Sequence, residues 1–218
     1  MKKRNRNNIL NPMFYGNTIQ EFDIGEASEE FAKVFGANKN LYRITPSLID
    51  GLKPVQRRVI YEMREFKKFR KVSAISGDTM GRFHPHGDGS INDAITGMGQ
   101  SWNWSIPVVL GQGNFGNVKG NSPAAPRYIE AKLSSFAYNC YFRDFDKCNV
   151  PKRLTYNGDE FEPDYLPAAY PIVLVNAQLS SIGYGMASNI PPFNFNEVIK
   201  ATIKLMHNPK EKIMLIPD

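Results

Sequence analysis

Apolar residues recur at helical spacing in several stretches of the chain. Val55, Val59, Met63 and Phe66 fall at i, i+4, i+8 and i+11, one stripe along a helix, and Pro54 suits its first turn. Phe22, Ala27, Phe31, Val34 and Phe35 predict a helix over residues 21–35, with those five as candidate buried positions. Ile91, Ala94, Ile95 and Met98 predict another, capped by Asp88 and ended by Gly97 and Gly99. Residues 72–80 read as a short helix closed by Gly77 and Gly81, residues 133–141 as a further one, and residues 196–206 as the last. Strands are expected at 106–110 (IPVVL), 124–132 and 172–175.

Between these elements the polarity changes. Residues 1–16 are polar and basic and read as an arm, and residues 41–52 as a loop punctuated by Pro46 and Asp50-Gly51. From Asn149 onward, Pro151, Pro163, Pro167, Pro171, Pro191 and Pro192 break the chain into short pieces, so a boundary is placed near 150. The fold class that follows is mixed α/β (α+β). Helix, short helix, turn, helix over residues 54–98 is also the skeleton of a helix-turn-helix unit.

Composition narrows the function. A 218-residue chain with 42% hydrophobic residues holds one or two folded domains. Its net charge of +6 favours a polyanionic partner. Eight Lys/Arg between Lys53 and Lys71 face Glu62 and Glu65, which reads either as a solvated helix face or as a nucleic-acid contact. Cys140 and Cys148 lack C-x-x-C spacing and indicate neither a disulfide scaffold nor a zinc site, which suits a reducing, cytoplasmic setting. No apolar run approaches the ~20 residues of a membrane span, so no membrane role is expected.

Three features could carry chemistry. Gly111, Gly113 and Gly116 spell G-x-G-x-x-G after a predicted strand. Turn residues follow where a dinucleotide site needs a helix, so an oxidoreductase reading fails and close approach to another backbone is expected instead. His84 and His86 are too few to define a metal site, but they could donate to phosphate oxygens. Arg127-Tyr128 is the third. A phenol titrates near ~10 and is a poor nucleophile unless cations stabilise its phenolate and a neighbouring phosphate.

Taken in order, the chain gives Arg43, then Asp50-Gly-Leu-Lys-Pro-Val-Gln-Arg-Arg58, His84-Pro-His-Gly-Asp88 and the glycine run. Ala124-Ala-Pro-Arg-Tyr128 and Gly185-Met-Ala-Ser-Asn-Ile-Pro-Pro192 follow. Over residues 40–206 this resembles the breakage-reunion subunit of type IIA DNA topoisomerases, the gyrase A and topoisomerase IV kind and their phage relatives. The resemblance implies a winged-helix (CAP-like helix-turn-helix) domain over 41–148 after an N-terminal arm and helix (1–40), then the beginning of a tower domain (149–218). It implies Tyr128 as the nucleophile that forms a 5′-phosphotyrosyl link with DNA and Arg127 as holder of the scissile phosphate. Arg43 and His86 would stabilise the attacked phosphate. Lys53, Arg57, Arg58 and His84 would contact DNA, and Ile182 would wedge between base pairs. Double-stranded DNA and a second copy of the chain are the implied partners. Mg²⁺ and ATP would be bound by a partner chain or segment that carries the metal-binding (toprim) and ATPase modules.

The chain departs from the family pattern at Gln56, where a histidine is usual, at Pro126, and at Gly89, where bacterial members carry a serine; Asp93 keeps the nearby acid. The resemblance also implies a tower continuing past Asp218, so the chain is expected to be a fragment or one piece of a split enzyme. The rival reading from another class is a non-catalytic winged helix that binds and bends DNA for a partner.

Overall fold

The computed structural model describes residues 23–176 and 181–217. Helix α1 (Ile24–Lys39) is opened by Asp23, whose carboxylate accepts from the N–H groups of Gly25 and Glu26. Glu21 and Phe22, placed in this helix by periodicity, lie outside the described residues. The stripe expected to be buried is not: Phe31 and Phe35 are about half exposed, and Gly36 is the buried residue. The stripe lies against Tyr184, which meets Phe35 edge-on at 5.4 Å, rather than against a core. A π-helical turn, Asn40–Ile44, continues where a loop is predicted.

Helix α2 (Pro54–Met63) begins on Pro54 as expected, and the Lys53 N–H donates to Gln56 Oε1 at 2.8 Å. Val59 and Met63 of its stripe are fully buried. Strand β1 (Arg70–Lys71) leads directly into α3 (Val72–Arg82). Gly77 and Gly81 lie inside α3 instead of closing it, each with open space where a side chain would stand. Helix α4 (Asp88–Met98) buries Ile91, Ile95 and Met98. Its N-cap is Gly87, not Asp88; Asp88 is the first helical residue, and its charge suits the positive end of the helix dipole.

Helices α2, α3 and α4 pack on one another and against a small antiparallel sheet of order β1-β3-β2, with β2 at Val109–Gln112 and β3 at Glu130–Leu133. Strand β2 starts later than IPVVL predicts. Pro107 has no N–H to give a ladder, and the Asn176 side chain takes both the N–H and the C=O of Ile106 at 2.8 Å. The glycine run begins inside β2 at Gly111 and leaves it as an irregular loop, and Phe115 folds back over it. A Cβ on Gly111 would stand 2.5 Å from that ring, and one on Gly116 would stand 2.8 Å from the Asn121 C=O, so the run makes room for the chain's own phenylalanine and, at Gly116, for another stretch of backbone as expected.

Helix α5 (Ser135–Tyr141) is capped by Ser134. Strands β4 (Lys152–Leu154) and β5 (Phe161–Pro163) then form an unpredicted hairpin. Residues 172–175, predicted as a strand, are the one-turn helix α6 (Ile172–Val175): their apolar side chains enter the core from a turn, with Asn176 N–H bonded to Ile172 C=O. A second small hairpin pairs β6 (Ser181–Ile182) with β7 (Ala187–Ser188), and α7 (Phe195–His207) closes the chain over Phe136 and Tyr170. One hydrophobic cluster includes Val59, Ile95 and Ile129 together with Val150, Leu166, Ile172 and Val198, so residues on both sides of position 150 share a core. Among the described residues no helix is long and apolar enough to cross a membrane.

Candidate functional site

A groove of about 560 Å³ opens between α1 with its π-helical turn and the turn that joins α3 to α4. Phe31, Val34, Phe35 and Tyr42 form its apolar wall, and Lys39, Arg43, Arg58, His84 and His86 bring cationic or polar groups to it. Arg43 reaches it from the π-helical turn and Arg58 from α2. The histidines come from the turn between α3 and α4, where His86 N–H donates to His84 C=O at 2.7 Å. Their rings lie 4.7 Å apart and tilted by 31°.

The two imidazoles are held neutral. His84 is 4% exposed and pushed down to about 4, by burial first and then by the charges of Arg58, His86 and Arg43. Burial, Arg43 and Arg58 push His86 the same way. At neutral pH the groove therefore carries fixed charge from arginine and lysine, and its histidines act as uncharged hydrogen-bonding groups. That chemistry suits a phosphate, which takes both charge and hydrogen bonds.

The basic run of α2 and β1 is largely spoken for by carboxylates. Arg57 is buried: its Nε donates to Asp50 Oδ2 at 2.6 Å and its Nη2 to Asp50 Oδ1 at 3.0 Å. The same carboxylate accepts the N–H groups of Leu52 and Leu166. Arg57 is therefore tied to the core, its side chain 8% exposed. Arg58, Arg64, Arg70 and Lys71 are also ion-paired, with Glu162, Glu65, Asp78 and Glu130. Lys53 is half-buried at the start of α2, where burial lowers its ammonium pKa.

Arg127 and Tyr128 occupy an exposed turn that ends at β3. Tyr128 N–H donates to Ala125 C=O, while Pro126 and Ile129 C=O accept from Ser73 and Val72, tying the turn to the first residues of α3. The phenol is 65% exposed, and the Arg127 guanidinium lies 4.6 Å from its ring centre. Among the described residues, no hydrogen bond links the Tyr128 hydroxyl to the histidine groove. The structure joins Arg43, Arg58, His84 and His86 in one groove, and neither Arg127 nor Tyr128 is among its lining residues. Ile182 lies 79% exposed on the β6–β7 hairpin, whose Tyr184 packs on Phe35 of the groove wall. Among the described residues no group of three or more His, Cys, Asp or Glu side chains could hold a metal ion.

The model of the family that comprises the A subunits of DNA gyrase/topoisomerase IV matches residues 43–218. The chain belongs to that family. It is 38% identical over 201 residues to a DNA gyrase A subunit of Spiroplasma citri, covering 90% of this chain and 88% of that relative. It is 44% identical over 177 residues to the DNA gyrase A subunit of Rickettsia conorii, covering 79% of this chain and 19% of that relative. The A subunit of DNA topoisomerase 4 from the same organism is 36% identical over 200 residues, with 89% of this chain and 27% of the relative covered. The chain thus spans about a fifth of the length of several gyrase relatives it matches. In this gyrase-family chain the matched span begins at Arg43, so α1 and its apolar groove wall precede it.

Sequence reasoning misses two residues that shape the groove. Glu162 ties Arg58 in place from 104 residues away. Lys39 escapes notice because it ends a helix whose stripe reads as core. The Asn157-Gly158 pair, a hairpin signal, could have located the strand that carries Glu162.

Proposed function

We propose that this chain is the DNA-cleaving part of the A subunit of a type IIA topoisomerase, with a winged-helix domain over about residues 41–148 followed by the start of a tower. Three packed helices with a small antiparallel sheet support the winged-helix assignment. The observation that carries the reaction is a solvent-open tyrosine beside an arginine, on a backbone turn fixed to α3, in a chain that also gathers arginines and histidines in one groove.

In this reading the Tyr128 Oη attacks a DNA phosphorus and loses its proton. The bond from phosphorus to the 3′ oxygen breaks, and that oxygen leaves as a hydroxyl. The 5′ end stays on the tyrosine as a phosphodiester, so resealing is the reverse step and needs no separate ligation cofactor. Arg127 holds the scissile phosphate; Arg43 and His86 stabilise charge developing on it. Lys53, Arg58 and His84 bind or shape the approach of the backbone. The separation of Tyr128 from the groove fits a site completed by a second copy, one tyrosine for each strand. The residues present do not suit Mg²⁺, since the groove is cationic; Mg²⁺ and ATP are assigned to a toprim- and ATPase-bearing partner. A DNA-handling enzyme of this kind works in the cytoplasm.

The test combines this chain with its metal-bearing partner, duplex DNA and Mg²⁺, followed by denaturation. Protein covalently attached to a DNA 5′ end is expected, and Tyr128→Phe should abolish it. Adducts that persist in Tyr128→Phe would overturn the reading.

A further inference from the structure

We propose that Glu162 is a positioning residue that sets the hydrogen-bonding state of His84 through Arg58. This deepens, and rests on, the reading of the groove as a phosphate site. Glu162 lies on β5, outside the helices that carry the groove, and its side chain is 4% exposed. Its two oxygens accept from Arg58 Nε at 2.6 Å and Nη2 at 2.7 Å, a fork-to-fork pair that fixes the guanidinium plane. Arg153 Nε adds a third bond at 2.9 Å. Burial alone would raise the Glu162 pKa, but Arg58 and then Arg153 outweigh it and hold the carboxyl below its usual range.

With Nε and Nη2 committed, Arg58 has Nη1 left, and this nitrogen lies 2.8 Å from His84 Nδ1. A guanidinium only donates, so Nδ1 must accept. The His84 proton therefore sits on Nε2, and the ring is a neutral donor at its other edge. An imidazole free of Arg58 would populate both tautomers. The chain of command runs from Glu162 to Arg58 to His84, and on to His86 stacked beside it.

A simpler alternative is that Glu162 merely clips the β4–β5 hairpin to the helices. The hairpin has a separate clip that allows the two roles to be told apart. Arg82 donates to both Glu160 oxygens and also to Glu62, and Tyr156 OH donates to Gly81 C=O. Glu160→Gln weakens that clip without touching Arg58.

The measurement is long-range ¹H–¹⁵N NMR of the ring nitrogens across pH, tractable because the chain has three histidines. The intact chain and Glu160→Gln should both show His84 as the Nε2–H form alone. Glu162→Gln should show mixed tautomers. Arg58→Lys, which keeps a charge against Glu162 but gives up the fork, should do the same and serves if Glu162→Gln does not fold. An unchanged His84 in both variants, or an equal change in Glu160→Gln, would overturn the proposal. In the assembled enzyme with partner, DNA and Mg²⁺, Glu162→Gln should slow cleavage roughly tenfold, the scale of a misplaced catalytic contact, while duplex affinity stays within about threefold. A freed tautomer with undiminished cleavage would refute the positioning role. Tyr128→Phe that still forms adducts would instead sink the functional reading and leave the Glu162–His84 linkage standing.

Discussion

Acid should weaken this fold through one buried ring. His84 is pushed down to about 4 in the folded chain from an ordinary value of 6.5. The unfolded chain therefore binds the proton more tightly, and the stability tied to neutral His84 is whole above 6.5 and lost as pH falls toward 4. Linkage over that window gives a loss of about 2 kcal/mol by pH 5 and about 3 kcal/mol by pH 4. Glu162 faces the same cluster and acts against the shift, but its carboxyl lies below its usual 4.5, so its own contribution is lost mainly at lower pH. The assay is urea unfolding at several pH values for the chain and for His84→Asn. The Asn oxygen sits near the place of Nδ1, can accept from Arg58, and does not titrate. The stability difference between the two should shrink or reverse by about 2 kcal/mol between pH 7 and pH 5. Parallel curves for the two proteins would show that the ring is not the acid-sensitive element.

Three further outcomes are expected. Asp50→Asn leaves Arg57 buried without its charge partner and should cost about 3–5 kcal/mol by denaturant unfolding; a loss below 1 kcal/mol would mean that water reaches the pair. Arg43→Ala should weaken duplex binding across all sequences and lower the slope of log affinity against log salt by about 1, and an unchanged slope would remove Arg43 from the phosphate contacts. Ile182→Ala should leave thermal stability unchanged, because the side chain is 79% exposed, yet reduce DNA bending measured by fluorescence transfer; unaltered bending would rule out the wedge.

The helices were legible where an apolar stripe and a boundary signal coincide, as in α2 after Pro54, and α7 was found on its stripe alone. The run Ile172–Val175 misled because four apolar residues read equally as a strand or as one buried helical turn. On α1 the stripe was real but its expected burial was not, since periodicity reports a face and not what covers it. At the site, sequence order marked Arg43, His84 and His86, and the structure gathers these three in one groove. Arg57 and Arg58 looked alike in sequence. Their different fates depend on Asp50 and Glu162, carboxylates whose reach is set by tertiary packing. Glu162 carried no visible chemistry beside Pro163, because its meaning lies in a partner 104 positions earlier.

Asp50 also bears on how the chain comes to fold as it is made. Its carboxylate accepts the Leu166 N–H, and its carbonyl accepts the Tyr141 hydroxyl. When a ribosome has released only the helices and the first sheet, this buried charge centre still lacks one donor, and the groove's Arg58 still lacks Glu162. Both are supplied only after the β4–β5 hairpin and Leu166 emerge, at roughly 5–20 residues per second. The groove is therefore a late-maturing part of the newborn chain. A ribosome stalled near residue 150 should hold a nascent chain that pulse proteolysis cuts readily, whereas one stalled well past residue 207, with α7 outside the exit tunnel, should hold a resistant one.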